Sequence, residues 1–262
     1  MKIIYTILLL VMFLFLSDSF VFAQYKNLEV KFGPYRYSTK FDTSNYLTTL
    51  KIKKGKSTIS YKTSEYLISG ITEYDLDNDG EKEILLDLYS GGAHCCTYLV
   101  AARITDDKFT ILDTISWGNS YYTMQDLDSN GKHEITGYND MFAYAFTNFA
   151  ESEFNVIVYE FQGNKFVNVT KNYPKFVEED IEDHLNQLTP FMTDTGYACP
   201  ASIDEDTFNT EAGSVKAILA PIVADYYSIG NVKKGYEIVD SVYKCADKDK
   251  FIQTLQNDYK LK

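Results

Sequence analysis

Two short segments carry residues whose types and spacing suit chemistry. The first is Asp75-Leu76-Asp77-Asn78-Asp79-Gly80-Glu81-Lys82-Glu83-Ile84 and the second Asp126-Leu127-Asp128-Ser129-Asn130-Gly131-Lys132-His133-Glu134-Ile135. Both fit D-x-D-x-[DN]-G-x-x-E-I, and their first residues stand 51 apart. Oxygen donors at alternate positions of a tight loop converge on one hard cation. Gly at the sixth position permits the sharp turn, and the carbonyl of the seventh can complete the shell. Carboxylates packed so closely repel one another unless a cation neutralises them. Calcium tolerates a loose, oxygen-rich shell better than magnesium does, whereas zinc asks for His or Cys.

The elements that must hold these loops are strands. Ile71-Thr72-Glu73-Tyr74 alternates before the first loop, and Ile84-Leu85-Leu86-Asp87-Leu88-Tyr89 forms a β-run after it. An EF-hand requires flanking helices and a Glu at position twelve, where this chain has Leu86 and Gly137. Position nine, Glu83 or Glu134, therefore has to close the shell. The competing reading is a pair of solvated hairpin turns, rich in Asp and Gly for their positive φ alone.

A nine-residue acidic loop between strands, followed by E-I and a β-run, resembles the calcium loop of FG-GAP/VCBS-type repeats. These build integrin-like β-propellers and occur in many exported bacterial proteins. Carried over by position, the resemblance implies calcium ligands Asp75, Asp77, Asp79 and Glu83 with the carbonyl of Glu81. In the second loop it implies Asp126, Asp128, Asn130 and Glu134 with the carbonyl of Lys132. Asn130 replaces a carboxylate, so the second site is expected to bind more weakly.

Paired β-runs flank the loops. Tyr98–Arg103 with Lys108–Leu112, Asn155–Phe161 with Lys165–Val169, and Leu47–Ile52 with Lys56–Ile59 each read as strand, turn, strand. The period near 50 residues belongs to propeller-like arrays, yet residues 24–170 hold only about three units, and closure takes about four blades. The expected fold is α+β. An antiparallel β repeat domain over 24–170, open and incompletely propeller-like, precedes a small α-helical domain over 171–262.

Those last helices follow from pattern and punctuation. Lys175 to Leu188 places Phe176, Ile181, Leu185 and Leu188 on one face. Pro190 and residues 193–200 break the chain, Glu211 to Ile229 forms a second helix containing Pro221, and Gly230 ends it. Further helices are expected after Asn231 and after Asp247. His184 and His133 read as solvated, and Trp117 as a packing anchor.

Ser90-Gly91-Gly92-Ala93-His94-Cys95-Cys96 offers a possible soft-metal or nucleophile motif. Three contiguous donors on an extended chain cannot face one metal, because neighbouring side chains point to opposite faces. With four Cys in an exported chain, the preferred pairing is Cys199 with Cys245 and Cys95 with Cys96; pairs crossing between the two regions are the alternative.

Export itself is read from the first residues. Lys2 precedes an apolar run from Ile3 to Leu16, which as a helix rises about 21 Å, short of the ~30 Å hydrocarbon core. Val21 and Ala23 suit a peptidase cutting before Gln24, which makes residues 1–23 a signal peptide and the mature chain secreted or periplasmic. An uncleaved anchor from Ile3 to Phe22 is the alternative. The chain carries 37 Asp+Glu against 25 Lys+Arg, a formal charge of −12. That acidity disfavours nucleic acid and anionic membrane surfaces, and no membrane span is expected after cleavage.

These readings converge on an exported, non-catalytic calcium-binding module of a bacterial envelope or exterior. Its partner would be an extracytoplasmic protein or glycan, with calcium as the cofactor. The alternative is a secreted hydrolase working through the His94/Cys95 loop or a metal site.

Overall fold

The computed structural model describes residues 27–64, 66–92, 95–192 and 196–262. The signal-peptide expectation for residues 1–23 and the Ala93-His94 pair lie outside the described residues. Twelve strands come first: β1 (Glu29–Phe32), β2 (Tyr35–Asp42), β3 (Leu47–Lys54), β4 (Ser57–Ser64), β5 (Leu67–Tyr74), β6 (Glu83–Gly92), β7 (Cys95–Thr105), β8 (Lys108–Gly118), β9 (Tyr122–Gln125), β10 (Glu134–Asn139), β11 (Asn155–Gln162) and β12 (Lys165–Asn168). Helices α1 (Pro174–Leu188), α2 (Glu211–Ser228), α3 (Val232–Val242) and α4 (Lys248–Asn257) follow. The molecule is α+β.

Each run of four consecutive strands forms its own antiparallel sheet, β1 to β4, β5 to β8 and β9 to β12. Side-chain alternation shows how they stack. From β6 and β7, Ile84, Leu86, Leu88, Val100 and Ala102 pack with Tyr37, Leu50 and Ile52 of the first sheet. Their neighbours Leu85, Leu99 and Ala101 point the other way and meet Ile135 and Phe161 of the third. The middle sheet is thus covered on both faces, and β6 opens with four buried residues in a row, Glu83 to Leu86.

On the far side of the third sheet the next layer is helical. Val156 of β11 and Phe142 of the β10–β11 connection enter one core with Val177, Ile181 and Leu188 of α1 and the apolar body of α2. Helices occupy the place where a fourth sheet would continue the stack.

Trp117 is buried as an anchor, stacked on Tyr122 and edge-on to Tyr159. Its ring lies on Gly137, where an added Cβ would come within 2.6 Å of the indole. In α1 the buried face is Val177, Asp180, Ile181, His184 and Leu188. His184 is therefore buried rather than solvated, because it shares a helical stripe with Ile181 and Leu188. His133 is also not free in solvent: its Nδ1 lies 2.5 Å from the Tyr74 hydroxyl.

The four cysteines pair as Cys95–Cys96 and Cys199–Cys245. The second pair has Cα atoms 5.3 Å apart and ties the segment before α2 to the α3–α4 connection. Closing a loop of that size stabilises by up to ~4 kcal/mol in the chain-entropy account.

Candidate metal centre

Both acidic loops connect the first two strands of their sheet, 75–82 between β5 and β6 and 126–133 between β9 and β10. Their backbones are held by the same hydrogen bonds. The first Asp accepts two amides: Asp75 from Asp79 at 3.1 Å and Gly80 at 3.0 Å, Asp126 from Asn130 at 3.0 Å and Gly131 at 2.9 Å. The fifth residue accepts the amide of the seventh, Glu81 to Asp79 and Lys132 to Asn130, both at 2.7 Å. The closing Glu accepts the amide of the second residue, Leu76 to Glu83 at 3.0 Å and Leu127 to Glu134 at 2.8 Å.

Positions four and six are left-handed in each loop, with φ of 57° at Asn78, 90° at Gly80, 60° at Ser129 and 85° at Gly131. Asn and Gly tolerate that region, whereas a β-branched residue would be strained. The turn folds the odd-numbered side chains inward. Carboxylate oxygens of Asp75, Asp77 and Asp79 lie within 4.8 Å of one another, as do those of Asp126, Asp128 and Glu134.

Each cluster keeps one buried oxygen without a hydrogen-bond partner, Asp77 Oδ1 in the first and Glu134 Oε1 in the second. A buried carboxylate oxygen left unpaired is costly, and a cation is the partner that removes the cost. The donor sets are all oxygen, which fits calcium.

The loops differ in the residue that follows the last pair of the neighbouring ladder. Ile84 pairs with Ala102 and Ile135 with Tyr159, so the next residue of the neighbouring strand is Arg103 in one case and Glu160 in the other. Arg103 hydrogen-bonds Glu83 Oε1 and lies 3.6 Å from Asp79 Oδ2 and 3.5 Å from Glu81 Oε2. Its bond to Glu83, more than the neighbouring charges, raises the guanidinium pKa further. Both oxygens of Glu83 are thereby taken, and Glu83 stays outside the first oxygen cluster.

Among the described residues no guanidinium pairs with the second loop. Lys132 reaches Glu160 at 3.6 Å, and the Tyr173 hydroxyl donates to Glu160 at 3.1 Å. Burial, with the Glu134 and Glu160 charges, pushes that phenol far up. The Gly131 amide holds Asp126 below the usual carboxylate range. Asn130 donates to both oxygens of Asp128, its backbone amide to Oδ1 at 3.2 Å and its Nδ2 to Oδ2 at 2.9 Å.

The loops also touch. Asn78 Nδ2 donates to the Gly131 carbonyl at 3.2 Å, and the Tyr74 and His133 rings meet edge-on at 5.4 Å. Tyr74 has its phenol raised by burial first and then by the charges of Asp126 and Asp75, one from each loop. Nothing in the D-x-D spacing foretells this contact; it comes from stacking the second sheet on the third.

Of the sequence-derived residues, Asp75, Asp77 and Asp79 gather in one place, and Asp126, Asp128 and Glu134 in another. Glu81 is exposed and Lys132 half-buried, each with its amide directed into its loop. Cys95 lies at disulfide distance from Cys96. Sequence reasoning missed Arg103, although a lone Arg ending an aliphatic run, Leu99 to Ala102, was a visible signal. Among the described residues no helix is long and apolar enough to cross a membrane.

No protein-family model matches the chain, and no solved structure matches it. Over 92 residues, 35% of its length, it is 23% identical to uncharacterized protein y4bJ of Sinorhizobium fredii. The matched stretch is 15% of that much longer relative, so the likeness assigns neither a family nor an activity.

Proposed function

We propose that the chain is an exported, non-catalytic calcium-binding repeat protein of the FG-GAP/VCBS type, acting outside the cytoplasm as a binding or structural module for a protein or glycan. The three stacked meanders serve as propeller-like blades in an open array, the helices ending the stack where a fourth blade would stand. The carrying observation is the pair of buried, unpartnered oxygens, Asp77 Oδ1 and Glu134 Oε1, each beside a convergent carboxylate cluster.

In this reading Asp75, Asp77 and Asp79 hold calcium in the first loop, with Glu83 engaged by Arg103. Asp126, Asp128, Asn130 and Glu134 hold it in the second. A fixed guanidinium competes with the ion for the same carboxylates, so the second loop binds more tightly despite Asn130, reversing the order expected from ligand charge alone. Calcium then neutralises each loop and clamps the first hairpin of its sheet. The test is thermal melting in calcium and in EDTA, since a ligand bound only by the folded state must raise the midpoint. Equal midpoints at millimolar calcium overturn the reading.

A further inference from the structure

Helix α2 is buried along almost its whole length, from Ala212 to Tyr226, and its stretch from Val215 to Tyr226 contains two charged residues, Lys216 and Asp225. Lys216 is provided for: its ammonium pairs with Asp247 and donates to Thr207 Oγ1 at 2.9 Å. Asp225 is fully buried, and neither of its carboxylate oxygens has a hydrogen-bond partner.

Facing it from α1 are Asp180 and His184, one helical turn apart and both at least nine-tenths buried. An oxygen of Asp180, a ring nitrogen of His184 and an oxygen of Asp225 lie within 4.8 Å of one another. Asp180 Oδ2 likewise accepts no hydrogen bond, His184 Nδ1 being an ionisable neighbour at 3.4 Å. The His184 ring turns Nδ1 toward Asp180, 2.9 Å from its carbonyl and 3.4 Å from Oδ2, and Nε2 toward Glu153 Oε2 at 3.7 Å. Among the described residues no Lys or Arg forms an ion pair with Asp180, Asp225 or Glu153. A cavity of about 230 Å³, lined by Tyr138, Glu153, Asp180, Asp183 and His184, opens beside the cluster.

We infer that Asp180, His184 and Asp225 form a binding site for a divalent transition metal of the zinc class, distinct from the two calcium loops. The imidazole decides the class: calcium takes oxygens, whereas nitrogen with carboxylates suits zinc and its neighbours. Glu153 Oε2, 3.7 Å from Nε2, stands on the side where a carboxylate can fix the tautomer of a ligating ring, and Nδ1 would then give its lone pair to the metal in place of its contact with the Asp180 carbonyl. Three protein ligands leave a fourth position directed at the cavity. An ion there would neutralise two carboxylates whose pKa values burial raises.

The test uses untagged, chelator-treated protein in saturating calcium, so that the loops are filled, titrated with cobalt(II) and then competed with zinc. One equivalent of cobalt with the visible bands of low-coordinate geometry, displaced by one equivalent of zinc, is expected. His184→Gln and Asp225→Asn should each weaken binding at least tenfold, while the Asp77→Ala/Asp128→Ala double variant keeps it. Cobalt binding absent, or unchanged in both cluster variants, overturns the site and leaves a shared proton between Asp180 and Asp225. Should either variant fail to fold, zinc-edge X-ray absorption of the wild type decides: an imidazole shell at about 2.0 Å supports the site, and an oxygen-only shell overturns it.

Discussion

The loop at 75–83 and the loop at 126–134 share a backbone almost hydrogen bond for hydrogen bond, yet their neighbouring strands carry different residues. The first Asp, the left-handed fourth and sixth residues and the closing Glu behave alike in both. One residue beyond the pairs Ile84–Ala102 and Ile135–Tyr159, the neighbouring strand carries Arg103, which pairs with Glu83, in the first case and Glu160 in the second. A loop motif thus fixes local geometry, while the neighbouring strand sets how much negative charge remains for an ion. Two copies of one motif can then differ in affinity, for a reason that lies on the next strand, at Arg103 and Glu160.

The largest effect that breaks the comparison is loss of both sites. Asp77→Ala with Asp128→Ala is expected to abolish the calcium-dependent rise in melting temperature. At calcium a hundredfold above its dissociation constant each site contributes about 2.7 kcal/mol, so the change is large. The single variants separate the loops: Asp128→Ala should remove the shift seen at low calcium, and Asp77→Ala the part that appears only at higher calcium.

Next is the anchor beneath each loop. Leu76 is fully buried and Leu127 half-buried. Leu76→Ala is expected to destabilise the chain by about 2–5 kcal/mol in chemical denaturation, and Leu127→Ala by clearly less. Equal losses would show that the loops are anchored alike.

Arg103→Gln sharpens the electrostatic contrast. It should tighten calcium at the first loop roughly tenfold, about 1.4 kcal/mol, while lowering stability in EDTA because Glu83 loses its partner. Calorimetric titration reads both sites at once, and an unchanged first affinity would remove Arg103 as the cause. The smallest effect is expected for Asn130→Asp, which adds a carboxylate and tightens the second loop a few-fold.

Much of this was legible from the chain. The turn residues and the β-runs around them located the loops between strands, and Pro190, Gly230 and the apolar spacing placed the helices. Cys95 and Cys96, and Cys199 and Cys245, lie at disulfide distance from each other. What was not legible depends on layers meeting. His133 was expected in solvent but meets Tyr74, because the second and third sheets stack and bring the two loops together. His184 was expected in solvent because Lys175–Leu188 is rich in acids; its place one residue short of Leu185 hid that it falls on the stripe of Val177, Ile181 and Leu188. Asp225 within an apolar run was the stronger signal, since a charge on a helix that is apolar all round must be buried with a partner.

The central claim is tested most directly by titrating calcium while following the backbone amide resonances of Gly80 and Gly131, the two amides that rest on the first aspartate of each loop. Both signals should shift, with Gly131 saturating at lower calcium than Gly80. Two amides that stay still through millimolar calcium would contradict it.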